Sequence, residues 1–286
     1  MAPRTAPPRN RPAAPRLTGR DLTLGYAGRT VAAGLTVDVP DNEFTVIVGP
    51  NACGKSTLLK ALARVLAPQS GSVVLDGRAI AEYRSKEVAR RLGLLAQSAM
   101  PPAGITVADL VARGRYPHQT LLRQWSAADA AAVREAMDRT GVAALAGRYV
   151  DELSGGQRQR VWLAMVLAQQ TGILLLDEPT TFLDIGHQYD LLDLCADLHR
   201  QGRTLVAVLH DLNQACRYAT HLVALAPGGT LAASGPPAQV VTAALVEELF
   251  GLRCRVLPDP ETGTPMVVPR GRVPAARPAP AAAGDR

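Results

Sequence analysis

The chain has 286 residues, 47% of them hydrophobic, which is enough for one large folded domain or two small ones. No apolar run reaches the roughly eighteen residues that a membrane-spanning helix needs, so the sequence predicts no such helix. The basic N-terminal segment is followed by no apolar stretch of the kind found in secretory signals. We therefore expect a protein of the cytosol.

The net charge of +6 is concentrated at the two ends of the chain. Residues 1–16 contain four arginines and no acidic residue, and 270–286 contain four arginines and one aspartate, so the net charge of 17–269 is −1. Both ends are rich in Pro and Ala and cannot bury a core, which predicts disordered basic tails. Because only 4% of the residues are aromatic, we expect no nucleic-acid partner for the folded part.

The cysteines are widely spaced and include no CxxC pair. This spacing fits neither a zinc site nor a disulfide framework. We interpret the four residues as reduced cytosolic thiols; they are Cys53, Cys195, Cys216 and Cys254.

The first elements after the N-terminal tail are predicted to be antiparallel strands. Residues 17–50 alternate apolar and polar side chains, with turn signals at Ala27-Gly28 and Asp41-Asn42, and end in a buried strand over Thr45–Val48. Helical spacing then predicts a helix from Lys55 to about Leu66.

The remainder of the chain alternates between strand and helix patterns. We predict a hairpin turn at Asp76-Gly77, helices over 126–146, 161–169 and 188–200, a glycine stop at Gly202, and strands in GILLLDEP, TLVAVLH, HLVALAPGG and TLAASG. Such alternation is typical of an α/β fold with a largely parallel sheet.

A glycine-rich loop lies between the buried strand and the first helix. GPNACGKS fits the pattern G-x-x-x-x-G-K-[ST], in which glycines let backbone N–H groups and the helix N-terminus face a polyphosphate. Lys55 would neutralise the β- and γ-phosphates and Ser56 would bind Mg²⁺. Cys53 occupies a free position, where we expect its thiol to matter only as an alkylation target. The predicted nucleotide contacts here are Gly49, Pro50, Asn51, Ala52, Cys53, Gly54, Lys55, Ser56 and Thr57.

An acidic pair follows the apolar run ILLLDEP. Asp177 at the end of a buried strand is placed to hold Mg²⁺, directly or through water, and Glu178 beside it could polarise an attacking water. An acidic pair after a strand is often only a helix cap. The phosphate-binding loop around Lys55 favours the catalytic interpretation.

With LSGGQRQR added, the chain resembles the nucleotide-binding subunits of ABC transporters over residues 17–269. The resemblance implies an α/β P-loop ATPase core with a mixed, largely parallel sheet. It also implies an N-terminal antiparallel β subdomain and a helical subdomain, at about 98–165, that carries the signature Leu153–Gln157.

The resemblance also assigns roles to single residues. Tyr26 matches the aromatic that stacks on adenine, and Gln97 matches a glutamine at the metal whose loop contacts the membrane subunit. Asp184 lies in the loop that links two nucleotide sites, and His210 matches the histidine that senses the γ-phosphate. The signature would cover ATP bound to the opposite subunit, through Ser154, Gly155, Gly156 and Gln157.

Longer segments, including ITVADLVARGRYPH and LDEPTTFLDIGHQYDLLDL, resemble importers of iron(III)–siderophore complexes, and cobalamin and haem importers share much of the pattern. The implied assembly contains ATP, Mg²⁺, two identical cassettes and two permease subunits, and an external binding protein supplies the substrate. The chain would lie at the cytoplasmic face of the membrane. Arg115–His118 would be packing or transporter-contact surface.

Two other classes of protein share parts of this pattern. Soluble ABC ATPases of ribosomes or DNA resemble tandem cassettes or carry long coiled-coil insertions, and this sequence shows one cassette and neither feature. A P-loop kinase would not need LSGGQ or the histidine at position 210.

Overall fold

The computed structural model describes residues 15–97, 100–120 and 125–271. The predicted tails lie almost entirely outside these residues. The strands are β1 (Leu17–Tyr26), β2 (Arg29–Val39), β3 (Phe44–Val48), β4 (Ser70–Leu75), β5 (Arg78–Ala79), β6 (Leu92–Leu95), β7 (Ile173–Asp177), β8 (Thr204–Val208), β9 (His221–Leu225), β10 (Leu231–Gly235), β11 (Cys254–Pro258) and β12 (Pro265–Pro269).

The helices alternate with these strands along most of the chain. They are α1 (Lys55–Leu62), α2 (Ser85–Ala89), α3 (Val107–Ala112), α4 (Ala127–Arg139), α5 (Gly155–Ala168), α6 (Ile185–Arg200), α7 (Leu212–Tyr218), α8 (Pro237–Val240) and α9 (Ala243–Phe250). Among the described residues, no helix is both long and apolar enough to cross a bilayer.

The central sheet has six strands in the order β10-β9-β3-β8-β7-β6. Only β10 runs antiparallel to its neighbour; the other pairs are parallel. Val208 at the end of β8 pairs with Ile47 on one side and with Asp177 on the other. The segments that follow β3, β7 and β8 therefore leave the sheet at the same edge, where ligands bind in open α/β sheets.

The uninterrupted apolar runs of the central strands reflect burial on both faces. In β3, Phe44 and Val46 pack into the core cluster on one side of the sheet, and Ile47 packs into the cluster on the other side. Leu174 and Leu175 of β7 divide between the two clusters in the same way. Parallel strands covered on both sides need no polar alternation.

A separate antiparallel sheet with the order β2-β1-β4-β5 confirms the predicted N-terminal strands. Its two tight turns are at the predicted positions. Ala27 and Gly28 have φ values of 42° and 82°, and Asp76 and Gly77 have 49° and 80°. Positive φ at both central residues is what a two-residue hairpin turn requires.

Two helices are shorter in the structure than the sequence predicts. The helix from Lys55 ends at Leu62 rather than Leu66, and Arg64 just beyond it has a φ of 60°. The helix predicted over 126–146 ends at Arg139, two residues before Gly141 adopts a φ of 66°. A left-handed residue cannot continue an α-helix, so the chain turns at these positions despite the helix-favouring composition.

Two other helices begin earlier than the sequence predicts. The helix predicted from Val161 begins at Gly155, and the helix predicted from Gln188 begins at Ile185. In each case a polar side chain caps the N-terminus: Ser154 accepts from the backbone N–H of Gln157, and Asp184 accepts from that of His187. The predicted stop at Gly202 is confirmed by its φ of 87°.

Within the Arg115–His118 segment, Arg115 and Pro117 are buried and pack inside the protein, while Tyr116 is exposed. Arg115 is 5% exposed and its Nε donates to Asp129 Oδ1 at 2.8 Å, while its Nη1 donates to the backbone oxygen of Ala168 at 2.7 Å. Hydrogen bonds from Ser126 and this guanidinium hold the pKa of Asp129 below its usual value. The ion pair between Arg115 and Asp129, together with the bond to Ala168, therefore holds the α3–α4 connection against the end of α5.

Replacing Arg115 with Ala should lower the free energy of unfolding by about 3–5 kcal/mol, because it leaves the Asp129 carboxylate buried without its cation. Urea denaturation of the full chain measures the change. The matched control is Arg78→Ala, which removes an exposed pair with Glu82 and should leave the free energy of unfolding nearly unchanged. Equal losses in the two variants would contradict the assignment of a buried pair.

Candidate nucleotide site

The loop between β3 and α1 has the geometry of a phosphate-binding loop. Ala52 and Gly54 have φ values of 61° and 98°, so the backbone curls before α1 begins at Lys55. A Cβ atom on Gly54 would also lie 2.9 Å from Val31 Cγ1, so this position requires glycine. The first backbone N–H groups of α1 have no partners within the helix and are free to bind an anion.

Lys55 is 5% exposed and supplies an uncompensated positive charge to the loop. Its Nζ donates to the backbone oxygens of Gly49 at 2.9 Å and Pro50 at 2.8 Å. No carboxylate within the described residues lies at ion-pair distance from this ammonium. A cation held only by neutral carbonyl groups favours an anionic ligand.

Cys53 contributes only its backbone to the loop. Its side chain is 1% exposed and belongs to the core cluster between α1 and the sheets, where burial raises the pKa of the thiol. The expectation that Cys53 is an alkylation target is therefore wrong. The other three cysteines are also buried and unpaired, as the spacing indicates.

Ser56 and Asp177 meet at the end of β7. Ser56 Oγ donates to Asp177 Oδ1 at 2.7 Å. Asp177 Oδ2 is buried and has no hydrogen-bond partner, and burial raises the pKa of this carboxyl group. An orphaned carboxylate oxygen beside a hydroxyl fits Mg²⁺, which binds one or two carboxylates together with substrate phosphates. In the described part of the chain, no group of three or more His, Cys, Asp or Glu side chains is arranged to hold a metal ion by itself.

Glu178 is the centre of a polar cluster. His210 Nε2 lies 2.7 Å from Glu178 Oε1, and Gln97 Nε2 donates to Glu178 Oε2 at 2.6 Å. Glu178 has a φ of 50°, which is unusual for a residue with a side chain and marks a constrained position of the kind found at functional sites. The sheet thus brings together the three side chains predicted after β6, β7 and β8.

A cavity of about 580 Å³ opens over the loop and ends at Glu178 and His210. Tyr26 lies on its wall with 47% of the side chain exposed, as a residue that stacks on a base requires. Lining residues predicted from the sequence are Tyr26, Asn51, Ala52, Gly54, Lys55, Ser56, Thr57, Glu178 and His210.

Arg29 also lines this cavity and was missed by the sequence reasoning. It pairs with Tyr26 across the first hairpin turn. The Ala27-Gly28 turn signal is enough to predict this position, because residues that flank a two-residue turn face each other. Gln159, also missed, donates from the buried face of α5 to the backbone oxygen of Pro179 at 3.2 Å. No sequence pattern indicated that contact.

The signature residues do not line the cavity of their own chain. Ser154 and Gln157 instead form a reciprocal capping box. Gln157 N donates to Ser154 Oγ at 3.3 Å, and Ser154 N donates to Gln157 Oε1 at 3.2 Å. The signature is therefore the N-terminus of α5 rather than a second phosphate loop for the same nucleotide.

The loop that contains Asp184 lies against the signature. Cβ atoms added to Gly155 and Gly156 would meet Phe182 Cβ at 3.5 Å and Leu183 Cδ2 at 3.1 Å. Phe182 is 77% exposed. Asp184 is exposed, and hydrogen bonds from the backbone and ring of His187 lower the pKa of its carboxyl group. This loop and the signature therefore lie side by side on one surface.

Comparison with known proteins matches residues 32–181 to the family model described as ABC transporter. The ferric enterobactin transport ATP-binding protein FepC of Escherichia coli K12 is 61% identical over 258 residues, which cover 90% of this chain and 95% of FepC. The hemin import ATP-binding protein HmuV of Streptomyces coelicolor is 42% identical, with 93% of this chain and 96% of that protein covered.

Solved structures show the same fold. A metal-chelate type ABC transporter in an inward-facing conformation aligns with a TM-score of 0.76 and 27% identity, covering 91% of this chain and 98% of that one. The dimeric bacterial ABC transporter cassette MJ0796 aligns with a TM-score of 0.69.

The fold and the site define a P-loop ATPase with the Asp-Glu pair and the signature of a nucleotide-binding cassette. The chain belongs to the ABC transporter family, as an ATP-binding subunit.

Proposed function

We propose that the chain hydrolyses ATP to drive the import of an iron(III)–siderophore complex. The observation that carries the ATPase chemistry is the meeting of Lys55, Asp177 and Glu178 at one edge of the sheet. The substrate class rests on the 61% identity with a ferric enterobactin transport protein. Residues 17–269 would form the nucleotide-binding domain, with a helical subdomain at about 98–165.

ATP would lie along the cavity, with adenine on Tyr26 and the triphosphate on the loop. Base stacking on an aromatic ring contributes about 1–3 kcal/mol, and Arg29 beside Tyr26 adds a positive charge at that end. Lys55 and the N–H groups of the loop and of α1 would hold the β- and γ-phosphates.

Mg²⁺ would be held by Ser56, Asp177 and Gln97. Bound there, it would neutralise charge on the β- and γ-phosphate oxygens. The Gln97 amide nitrogen faces Glu178, which leaves its oxygen for a metal or a metal-bound water.

Glu178 would orient or deprotonate the water that attacks the γ-phosphate in line. His210 Nε2 lies 2.7 Å from one carboxylate oxygen, and the N–H edge of the same ring would contact the γ-phosphate when ATP is bound. Lys55 would stabilise the charge that develops on the transferred phosphoryl group.

The position of the signature supports a homodimer. Ser154, Gly155 and Gly156 present a helix N-terminus outside their own cavity, where it can bind the γ-phosphate held by a second copy. Asp184, on the adjoining surface, would link the two sites. The partners would be two permease subunits and, indirectly, an extracytoplasmic binding protein. With these partners the chain would lie at the cytoplasmic face of the membrane as a peripheral subunit.

A second candidate substrate is haem, because a hemin import protein is 42% identical over nearly the whole chain. Cobalamin import shares the sequence pattern. The test deletes the gene from its host and restores it with the wild type or with Glu178→Gln. We expect uptake of iron as a ferric siderophore to be lost and restored only by the wild type. Unchanged ferric-siderophore uptake with lost growth on haemin would favour haem instead.

A further inference from the structure

Two glutamines connect α7 to the loop before α6. Gln214 is 5% exposed, and its Nε2 donates to Gln188 Oε1 at 2.8 Å. Gln188 Nε2 in turn donates to the backbone oxygen of Leu183 at 3.1 Å. The result is a hydrogen-bonded relay from Gln214 through Gln188 to Leu183, which no motif in the sequence marks.

The relay can form in one direction only. The Leu183 oxygen can only accept, so Gln188 must present its amide nitrogen to Leu183 and its amide oxygen to Gln214. Gln214 must then donate. A buried amide that loses its partner is costly, so the two side chains hold each other in place.

One end of the relay lies beside the catalytic cluster. Asp211 follows His210 directly and caps α7 by accepting from the backbone N–H groups of Asn213 and Gln214. Gln214 is therefore fixed in the first turn of the helix that begins just after His210. The His210 ring contacts Glu178.

The other end lies at the surface formed by the signature and the Phe182–Asp184 loop. Leu183 is 8% exposed and packs against Gly156, while Phe182 and Asp184 on either side of it are exposed. Two side-chain amides therefore join α7 to this surface.

We propose that Gln214 and Gln188 are positioning residues that couple the His210 end of α7 to the Phe182–Asp184 loop. The inference rests on the roles proposed above for Glu178, His210 and the dimer surface. When the γ-phosphate draws His210 toward it, α7 moves with the histidine. The relay carries that shift to the loop that faces the second copy, so the two sites respond together.

The experiment measures ATP hydrolysis by the full-length chain in Gln214→Met, Gln188→Met and the double variant, which keep side-chain volume and lose the hydrogen bonds. We expect the wild-type rate to depend sigmoidally on ATP concentration, because the two sites respond together. In the variants we expect kcat to fall about tenfold, KM for ATP to stay within about twofold, and the sigmoidal dependence to be lost. The double variant should be no slower than either single variant, because each removes the same relay. Gln201→Met, at the exposed end of α6, is the control and should hydrolyse at the wild-type rate.

Three outcomes would overturn the proposal: additive effects in the double variant, unchanged kcat in both single variants, or a raised KM with unchanged kcat. Thermal melting is measured alongside. If the Met variants unfold, Gln214→Asn takes their place: it keeps a neutral amide, but the side chain is one methylene shorter and cannot reach Gln188, and we expect the same fall in kcat.

His210→Ala separates this inference from the proposed function. If His210→Ala slows hydrolysis and the glutamine variants do not, the proposed coupling through Gln214 and Gln188 is wrong and the role proposed for His210 stands. If His210→Ala hydrolyses at the wild-type rate, the role proposed for His210 fails, and the relay has nothing to couple.

Discussion

Replacing Glu178 with Gln should lower kcat for ATP hydrolysis by about a hundredfold to a thousandfold and change the affinity for ATP by less than about twofold. The amide keeps the shape of the carboxylate and cannot take a proton from water. In the wild type, His210 and Gln97 contact the two carboxylate oxygens of Glu178 at 2.7 and 2.6 Å. In the variant, the amide oxygen can still accept from Gln97, and the amide nitrogen can donate to His210 once the ring proton is on its other nitrogen. The variant should therefore fold and bind normally.

Phosphate release under saturating ATP gives the rate, and titration with a fluorescent ATP analogue gives the affinity. The matched control is Glu82→Gln, an isosteric change at an exposed glutamate that pairs with Arg78 in the antiparallel sheet region. It should hydrolyse at the wild-type rate. Turnover by Glu178→Gln within about threefold of the wild type would remove Glu178 from the catalytic role.

The same variant tests the split site. Because the signature lies outside its own cavity, bound ATP that is not hydrolysed should hold two copies together. We expect Glu178→Gln with ATP to elute as a dimer in size-exclusion chromatography and to elute as a monomer with ADP. A monomer under both conditions would contradict a homodimer closed by ATP.

The residues that sequence reasoning placed best are those that follow parallel strands. Lys55 comes after β3, Glu178 after β7 and His210 after β8, and parallel topology alone brings such positions to one edge. The hairpin turns at Asp76-Gly77 and Ala27-Gly28 can also be predicted from local sequence, because the positive φ values that such turns require depend on the turn residues themselves.

Helix limits and the signature were predicted less well. Ser154-x-x-Gln157 is a capping-box pattern from which the start of α5 at Gly155 can be predicted, but helical spacing alone predicts a helix only from Val161. The end of α4 near Gly141 depends on one left-handed residue inside an alanine-rich stretch, where composition favours continuation.

Contacts between helices could not be predicted at all. Gln214 and Gln188 are 26 residues apart, and their hydrogen bond exists only because α6 and α7 pack on the same side of the sheet. The bond from Gln159 to Pro179 depends in the same way on how α5 docks. Glutamine is common on exposed helix faces, so nothing in the sequence separates these buried examples from solvated ones.

Replacing Lys55 with Ala should weaken ATP binding about a hundredfold, because it removes the charged hydrogen bonds to the β- and γ-phosphates. The loop itself should survive. In the wild type, the Lys55 ammonium donates only to the backbone oxygens of Gly49 and Pro50. In the variant, water in the open cavity can donate to these two oxygens instead. Lys55→Arg should not restore binding, since a planar guanidinium is too large for the position of a compact ammonium.

Calorimetric titration with ATP, ADP and AMP makes this prediction specific. The affinity for AMP, which lacks the phosphates that Lys55 contacts, should change by less than about threefold, while ATP and ADP are both weakened. The chain contains three lysines, and Lys86→Ala is the matched control because Lys86 is exposed and bonds to Gln119 in the helical region. Equal weakening of AMP and ATP would mean that the substitution deforms the cavity rather than removing a phosphate contact.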